Sequence, residues 1–439
     1  MNHALVPLPT APNFQVTRLA QLQAADLPGS PTGDLRVPAL LALPDSTLLL
    51  VHDHRPPGAT CGWSQSGGAL PGDLPNPNTL WLRRSGDGGA TWSIPQPLRP
   101  GSGCTLVVGL SDPSLLLSAD GTVHLFAAAS TDVGLFGAHP PTRPAVPDTP
   151  AEPGTLCLLH AHSRDGGATW TWRDLTDLCL PGPDQPAGLV AFPVSGHGLA
   201  LAGSQATGTK ATGTSFPGRL VQPLVTALPA CPDGSRPVRA RALLSDDAGA
   251  TWYLGQEVPP PAQADAKSLA GGASTSGVDE WAVAELADGT LVLSARDGGY
   301  GGNRLHAFST DGGRNWSVPQ GQPELPDPGC NAALLTIPST TTLLCTHASH
   351  PHARQLGRLS LSSDGGTTWR PLAELTAAPE PFGYSDASLL PATVGDAAAG
   401  LASVGMVRLI VVAEHPQSVG GASLQVLAVE LGPGAQLTR

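Results

Sequence analysis

Five segments of the chain match S-x-D-x-G-x-x-W: SGDGGATW from Ser85, SRDGGATW from Ser163, SDDAGATW from Ser245, STDGGRNW from Ser309 and SSDGGTTW from Ser362. Recurrence on this scale makes each copy one unit of a repeating architecture. Within a copy the Asp can accept bonds from nearby backbone N–H groups, the Gly supplies a positive φ, and the Trp anchors the outgoing strand. The spacing therefore predicts five hairpin turns. Five of the nine tryptophans sit in these boxes, which favours a structural use over ligand stacking. An Asp-x-x-Gly turn also suggests calcium, but no box carries the several oxygen ligands that ion takes.

A second repeat interleaves with the first. Strand-turn-strand patterns occur at 38–51, 113–128, 188–203, 281–295, 331–346 and 387–413, and a box follows each of the first five. With 53 Gly and 46 Pro among well-spread Leu, Ala and Val, the chain reads as turn-dense all-β. The expected fold is a six-bladed β-propeller of four-stranded antiparallel blades, one domain over residues 14–434 with 1–13 and 435–439 as terminal extensions. The sixth unit lacks a box, and the segment QVTRLA near the start can donate its outer strand. Connections near 133–155, 204–219 and 255–276 are expected to be long loops over the blades.

A formal net charge of -12 with only 23 Lys plus Arg argues against nucleic acid and anionic membranes as partners. An anionic ligand would need arginine concentrated in one place. The seven cysteines are widely spaced with no C-x-x-C pair, so buried free thiols are expected rather than disulfides or zinc. His347, His350 and His352 superficially resemble a metal cluster, but Pro351 intervenes at a strand exit and no metal or cofactor is expected. The start, MNHALVPLPTAPNF, lacks a basic stretch followed by an apolar core, so a cytoplasmic protein is expected, or a secreted one if the sequence is a trimmed mature form.

In an antiparallel hairpin the residue that begins the first strand and the residue that leaves the second lie at one end, so these positions converge on one rim. Arg36 and Arg55 flank hairpin one, and Asp112 begins hairpin two. Glu280 and Arg296 flank hairpin four, Arg354 follows hairpin five, and Tyr384 and Glu414 flank hairpin six. Charged residues are 13% of the chain and tyrosines number three, so this placement is not incidental.

In these positions the chain resembles the bacterial exo-sialidases. The family's first-arginine motif is similar to Arg36-Val37-Pro38, and its acid loop to GDLPNPNTLWLRRSGDGG, which carries Asp73. Its glutamate-to-arginine segment resembles DEWAVAELADGTLVLSAR, with Glu280 and Arg296 sixteen residues apart. Its third arginine resembles Arg354, with Arg358 a weaker candidate, and its tyrosine resembles Tyr384 in GYSDASLL. An insertion around ATCGWSQSGGALPG lengthens the span from Arg36 to Asp73, a departure from the family pattern that bears on the acid loop.

The resemblance implies a retaining exo-α-sialidase acting on a sialylated glycan or oligosaccharide. Arg36, Arg296 and Arg354 would hold the sugar carboxylate, Tyr384 would be the nucleophile, Glu280 its base and Asp73 the acid. Sialidases with a tyrosine nucleophile are an exception to the two-carboxylate rule of glycosidases. Glu414 would steady Arg36, while Arg55 and Asp112 would bind polar substituents of the sugar. Trp63, Trp81 and Phe136 are candidate pocket walls or core, and Glu285 a structural acid. A trans-sialidase, a hydrolase of deaminated sialic acid and a non-catalytic sialic-acid-binding propeller remain alternatives.

Overall fold

The apolar residues of each repeat alternate with period two, and each short run ends in a Gly- or Asp-bearing turn, so every unit folds as an antiparallel meander. A computed structural model describes residues 14–29, 32–57, 72–183, 185–203, 215–228, 236–261, 277–299, 301–338, 340–390, 407–415 and 421–431. Trp63, Cys61, Cys231, both terminal extensions and most of the insertion before Asp73 lie outside the described residues.

The chain opens with β1 (Phe14–Leu22). Blade 1 is β2 (Asp34–Ala42), β3 (Leu48–Arg55), β4 (Thr79–Ser85) and β5 (Gln96–Leu98); blade 2 is β6 (Gly109–Leu117), β7 (Val123–Ser130), β8 (Leu156–Ser163) and β9 (Thr171–Asp174). The third stretch holds β10 (Val190–Pro193), β11 (Gly196–His197), β12 (Leu199–Ala200), β13 (Leu220–Ala227), β14 (Val238–Ser245) and β15 (Tyr253–Glu257). Blade 4 is β16 (Val278–Glu285), β17 (Leu291–Asp297), β18 (Asn303–Ser309) and β19 (Gln320–Pro326). Blade 5 is β20 (Ala333–Thr336), β21 (Leu343–Ala348), β22 (Gly357–Ser362) and β23 (Arg370–Glu374). Blade 6 is β24 (Ser385–Leu389), β25 (Val407–His415), β26 (Ser423–Leu431) and, as its outer strand, β1, which runs antiparallel to β26 and joins the two ends of the chain. The six sheets form a six-bladed propeller. Among the described residues no helix is long and apolar enough to cross a membrane.

Two details differ from the sequence reading. The segment 188–203 is not a hairpin: β10 and β12 both pair with β13 and form one interrupted inner strand of blade 3. Between them β11 leaves the blade and pairs in parallel with β6, so the sheets of blades 2 and 3 each count five strands rather than four. The physical cause is local. Gly196 adopts φ +117, and a Cβ added at Gly198 would meet Gln222 Oε1 at 2.7 Å and the Val221 carbonyl oxygen at 2.8 Å, so small residues let the chain turn out of the blade here.

The boxes do what their composition predicts. In the second copy Ser163 Oγ accepts from the Gly167 N–H at 2.6 Å, while Asp165 Oδ1 accepts from the Thr169 N–H at 2.9 Å and Oδ2 from the Thr169 hydroxyl at 2.6 Å. The other copies repeat this, with Asn315 replacing the Thr in the fourth. Trp252, Trp316 and Trp369 are buried behind the turns. Ser85, which begins the first box, pairs with Leu48 at one end of β3, whereas Arg55 lies at the other. The boxes therefore decorate the end of the propeller away from Arg36 and Arg55.

Polar side chains inside the blades recur as buried histidines. Burial, aided by Arg83 at His52 and Arg304 at His306, depresses both to about 3, and burial holds His124 and His347 at about 4. A ring kept neutral when folded takes up a proton on unfolding, because the unfolded value is about 6.5. Its contribution is complete above that pH and is lost as the pH falls toward about 4. Buried Glu280 and half-buried Asp112, whose values are raised, act in the opposite sense. The His124→Gln variant should therefore lose thermal stability less steeply than wild type between pH 6.5 and 5, by about one proton's worth, or about 1.4 kcal/mol per pH unit. Parallel pH series of thermal midpoints test this; superimposable slopes would show that His124 titrates normally.

A candidate active site at the propeller axis

At the end of the propeller away from the boxes, three inner strands carry β-bulges: β2 between Arg36 and Ala39, β6 between Ser111 and Ser114, and β16 between Val278 and Trp281. A bulge re-aims the side chains beside it. Val37 and Asp112, inside two of these bulges, take φ values of 47 and 54, a conformation that only a locally broken ladder tolerates. The effect is to bring Arg36, Asp112 and Glu280 from three blades to one place.

The centre of the cluster is the Tyr384 hydroxyl. It donates to Glu280 Oε2 at 2.5 Å and accepts from Arg296 Nη1 at 2.7 Å. The same Arg296 nitrogen lies 2.9 Å from Glu280 Oε2, and Arg296 Nε and Nη2 donate to Asp279 Oδ2 at 2.9 and 2.6 Å. The Arg354 guanidinium stands over the Tyr384 ring, 4.9 Å from its centroid, and donates to the Gly329 carbonyl at 3.4 Å. Tyr384 is 7% exposed and packs on Val37 and Cys330.

Arg36 is held by Glu414, whose Oε1 accepts from Arg36 Nε at 2.6 Å and from the Val37 N–H at 2.8 Å. Burial opposes ionisation of Glu414, but Arg36, Arg354 and these bonds more than offset it and keep its pKa below the usual range. Arg55 Nε donates to Asp53 Oδ2 at 3.0 Å, an oxygen that also accepts from the Ser111 hydroxyl at 2.5 Å, and Arg55 Nη1 donates to Asp73. Asp73 is partly exposed, with 44% of its side chain reaching solvent. Asp112 lies within electrostatic reach of Arg55, Glu280, Asp53 and Asp73, and burial pushes its pKa well up. All nine residues singled out in the sequence therefore belong to one constellation.

The electrostatics suit proton movement. Burial raises Glu280, against the pull of Arg296, so its carboxylate is a stronger base than one in water. Burial also raises the Tyr384 hydroxyl well above 10, despite Arg296, so the phenol is neutral at rest. A neutral phenol bonded to a strengthened carboxylate beside a guanidinium can give up its proton as it forms a bond to carbon.

Several side chains fall elsewhere. Arg358 lies across the strand pair from Glu374, 3.9 Å away, outside the cluster. Trp81 is 6% exposed, lies in the core and donates to Thr79 Oγ1 at 2.9 Å, so it is no pocket wall. Glu285 accepts the N–H groups of Ala202 and Gly203 at 2.7 and 3.0 Å, tying blade 3 to blade 4. His347, on blade 5, uses both ring nitrogens, on the Pro326 carbonyl at the end of blade 4 and on Ser360 Oγ within its own blade, each at 3.0 Å. His350 Nδ1 accepts from the N–H groups of His352 and Ala353 at 3.1 and 2.9 Å, and so shapes the turn that presents Arg354. Asp279 and Asp53 escaped the sequence reading; their signal was adjacency, in Asp279-Glu280 and His52-Asp53-His54.

Beneath Tyr384 lies a fully buried cation. Arg304 donates to Ser294 Oγ at 2.8 Å, to the Ser294 carbonyl at 2.9 Å, to Asp327 at 2.8 Å and to the Cys330 carbonyl at 3.0 Å. Asp327 in turn accepts the N–H groups of Gly329 and Cys330, so the pair shapes the turn on which Arg354 and Tyr384 rest. Arg304→Met should leave the Asp327 charge uncompensated and cost about 3–5 kcal/mol in a urea titration. A cost below about 1 kcal/mol would mean that water replaces the guanidinium.

Fold and constellation together place arginines, carboxylates and one tyrosine in a single cluster at the axis of a six-bladed propeller. The chain belongs to the BNR repeat-like domain family, which matches residues 81–394. It is 32% identical over 369 residues to a protein of Micromonospora viridifaciens named Sialidase, a match covering 81% of this chain and 48% of that one; the chain thus spans about half the length of that curated relative. Among solved structures it resembles the Hadza microbial sialidase Hz136 (TM-score 0.60, 20% identity, 90% of this chain and 65% of that one). It also resembles the intramolecular trans-sialidase from Ruminococcus gnavus in complex with oseltamivir carboxylate (TM-score 0.60, 16% identity, 90% and 94%).

Proposed function

We propose that this protein is an exo-α-sialidase that removes terminal sialic acid from glycans with retention of anomeric configuration. The observation that carries the reading is the Tyr384 hydroxyl set between the Glu280 carboxylate and the Arg296 guanidinium, with Arg354 over its ring. The name of the Micromonospora relative supports it.

Sialic acid bears a carboxylate on its anomeric carbon. Arg36, Arg296 and Arg354, from three blades, hold that anion through charge-assisted hydrogen bonds. A carboxylate nucleophile would be repelled by it, whereas a neutral phenol is not. Tyr384 attacks the anomeric carbon while Glu280 takes its proton, and the C–O bond to the leaving group breaks as Asp73 protonates the departing oxygen. Asp73 then draws a proton from the water that displaces the sugar from Tyr384, Glu280 returns its proton to the phenolic oxygen, and the sugar leaves with its original configuration. Glu414 keeps Arg36 charged and oriented, while Arg55 and Asp112 contact polar substituents of the ring.

Hydrolysis of a fluorogenic α-sialoside by the purified protein tests the activity. Tyr384→Phe should lower kcat/KM by about 10²-fold or more, and Arg354→Ala should act mainly on KM, by about 10–100-fold. Equal turnover by wild type and Tyr384→Phe rules the phenol out. Proton NMR of the first product should show the α anomer; a β product would contradict retention.

Glu280 must be ionised to accept the proton, so activity is lost as pH falls through its pKa. Because burial raises that pKa, the acid limb of kcat/KM should lie above the ordinary glutamate value of about 4.3. A limb at or below that value would exclude Glu280 as the base.

A further inference from the structure

Inner strands of a propeller face the axis with an unpaired edge, and their amides need acceptors. On β2, two such amides are met by side chains of β24: the Leu40 N–H donates to Asp386 Oδ2 at 2.7 Å and the Ala42 N–H to Ser388 Oγ at 3.0 Å. Asp386 and Ser388 stand two apart on one face of their strand, matching the two-residue spacing of the amides they meet. The strands so joined are the ones that matter to the site, since β2 bears Arg36 and β24 begins one residue after Tyr384.

The second oxygen of Asp386 is filled from across the axis. Asp386 Oδ1 lies 2.6 Å from His197 Nδ1, on the β11 excursion. That excursion is itself anchored, by pairing with Ser114 and Leu115 of β6 and by Asn331 Nδ2, which donates to the Ser195 carbonyl at 2.6 Å. Residues 195–198 thus cross the axis below the arginines and touch blades 2, 5 and 6. Burial disfavours a charged His197, yet the Asp386 carboxylate more than offsets it and raises the imidazole pKa. Asp386 is 1% exposed, so a lost partner there is not replaced by bulk water.

We propose that Asp386, seated by His197, is a positioning residue that locks the Arg36 strand against the Tyr384 strand and so sets the fit of the arginine cradle to the substrate carboxylate. This deepens the sialidase reading and rests on it. The partners of the Tyr384 hydroxyl come from blade 4 and make no bond to Asp386, so loosening this lock weakens the grip on the anion more than the chemistry.

The test compares wild type, Asp386→Ala, Asp386→Asn and His197→Gln with a fluorogenic α-sialoside, and measures binding of an unsaturated sialic acid analogue by calorimetry. Asp386→Ala should raise KM and the analogue's Kd together, by about tenfold, with kcat within about threefold of wild type. Asp386→Asn, whose amide oxygen still accepts the Leu40 N–H, should recover KM to within about threefold. His197→Gln, the gentler change for folding, should move KM in the same direction as Asp386→Ala but less. A KM unchanged in Asp386→Ala overturns the proposal, as does a loss confined to kcat, the mark of a smaller active fraction. If Asp386→Ala does not fold, an unchanged KM in His197→Gln overturns it instead. Failure of wild type to hydrolyse or bind either probe refutes the sialidase reading itself, and the positioning role falls with it.

Discussion

Everything at the axis depends on compensating positive charge that is brought together out of water. Arg36, Arg55, Arg296 and Arg354 converge in a chain whose formal net charge is -12. Like charges held close in a partly dry site repel strongly. The protein meets this by giving three of the four its own carboxylate: Glu414 for Arg36, Asp53 for Arg55, and Asp279 with Glu280 for Arg296. Arg354 stands apart, over the Tyr384 ring and against a backbone carbonyl. The cations are fixed by these partners before any ligand arrives, so a bound anion meets a site already organised to receive it.

That arrangement needs a scaffold whose strand ends meet. In an open sheet the ends of six hairpins would lie along a line, whereas in a propeller they surround a point. The bulges in β2, β6 and β16 refine this by turning side chains inward at the rim, while the regular ladders below remain apolar between blades. Closure is also required, because an opened ring would let blades 1 and 6 separate and carry Arg36 away from Tyr384. β1 supplies it by completing blade 6 from the other end of the chain, and Glu414, Asp386 and Ser388 add side-chain bonds from blade 6 to β2.

The polar interior serves the same end. Arg304 with Asp327, and Asp386 with His197, are buried groups that organise turns and strand edges under the pocket. Such groups are costly unless fully paired, and these contribute geometry more than net stability. The turn 327–330, the excursion 194–198 and the His350-capped loop each hold one part of the site from below or beside it.

The chain by itself determined the repeat, because the box and the two-residue alternation are local codes that need no neighbour to be read. It also determined the placement of Arg36, Glu280, Arg296, Arg354, Tyr384 and Glu414 at hairpin ends, and even the donation of the QVTRLA segment to the last blade. Where local signals mislead, the structure shows why. Residues 188–203 carry a strand-turn-strand pattern, yet the glycines at 196 and 198 release β11 to a partner strand some eighty residues earlier in the chain. Trp81 reads equally as pocket or core until its burial is known. The pairing of Arg296 with Asp279, the stacking of Arg354 on Tyr384 and the bond from Leu40 to Asp386 were decided only by tertiary structure. These partners, apart from the first, are separated by tens to hundreds of residues, and no local pattern specifies which strand ends face each other across the axis.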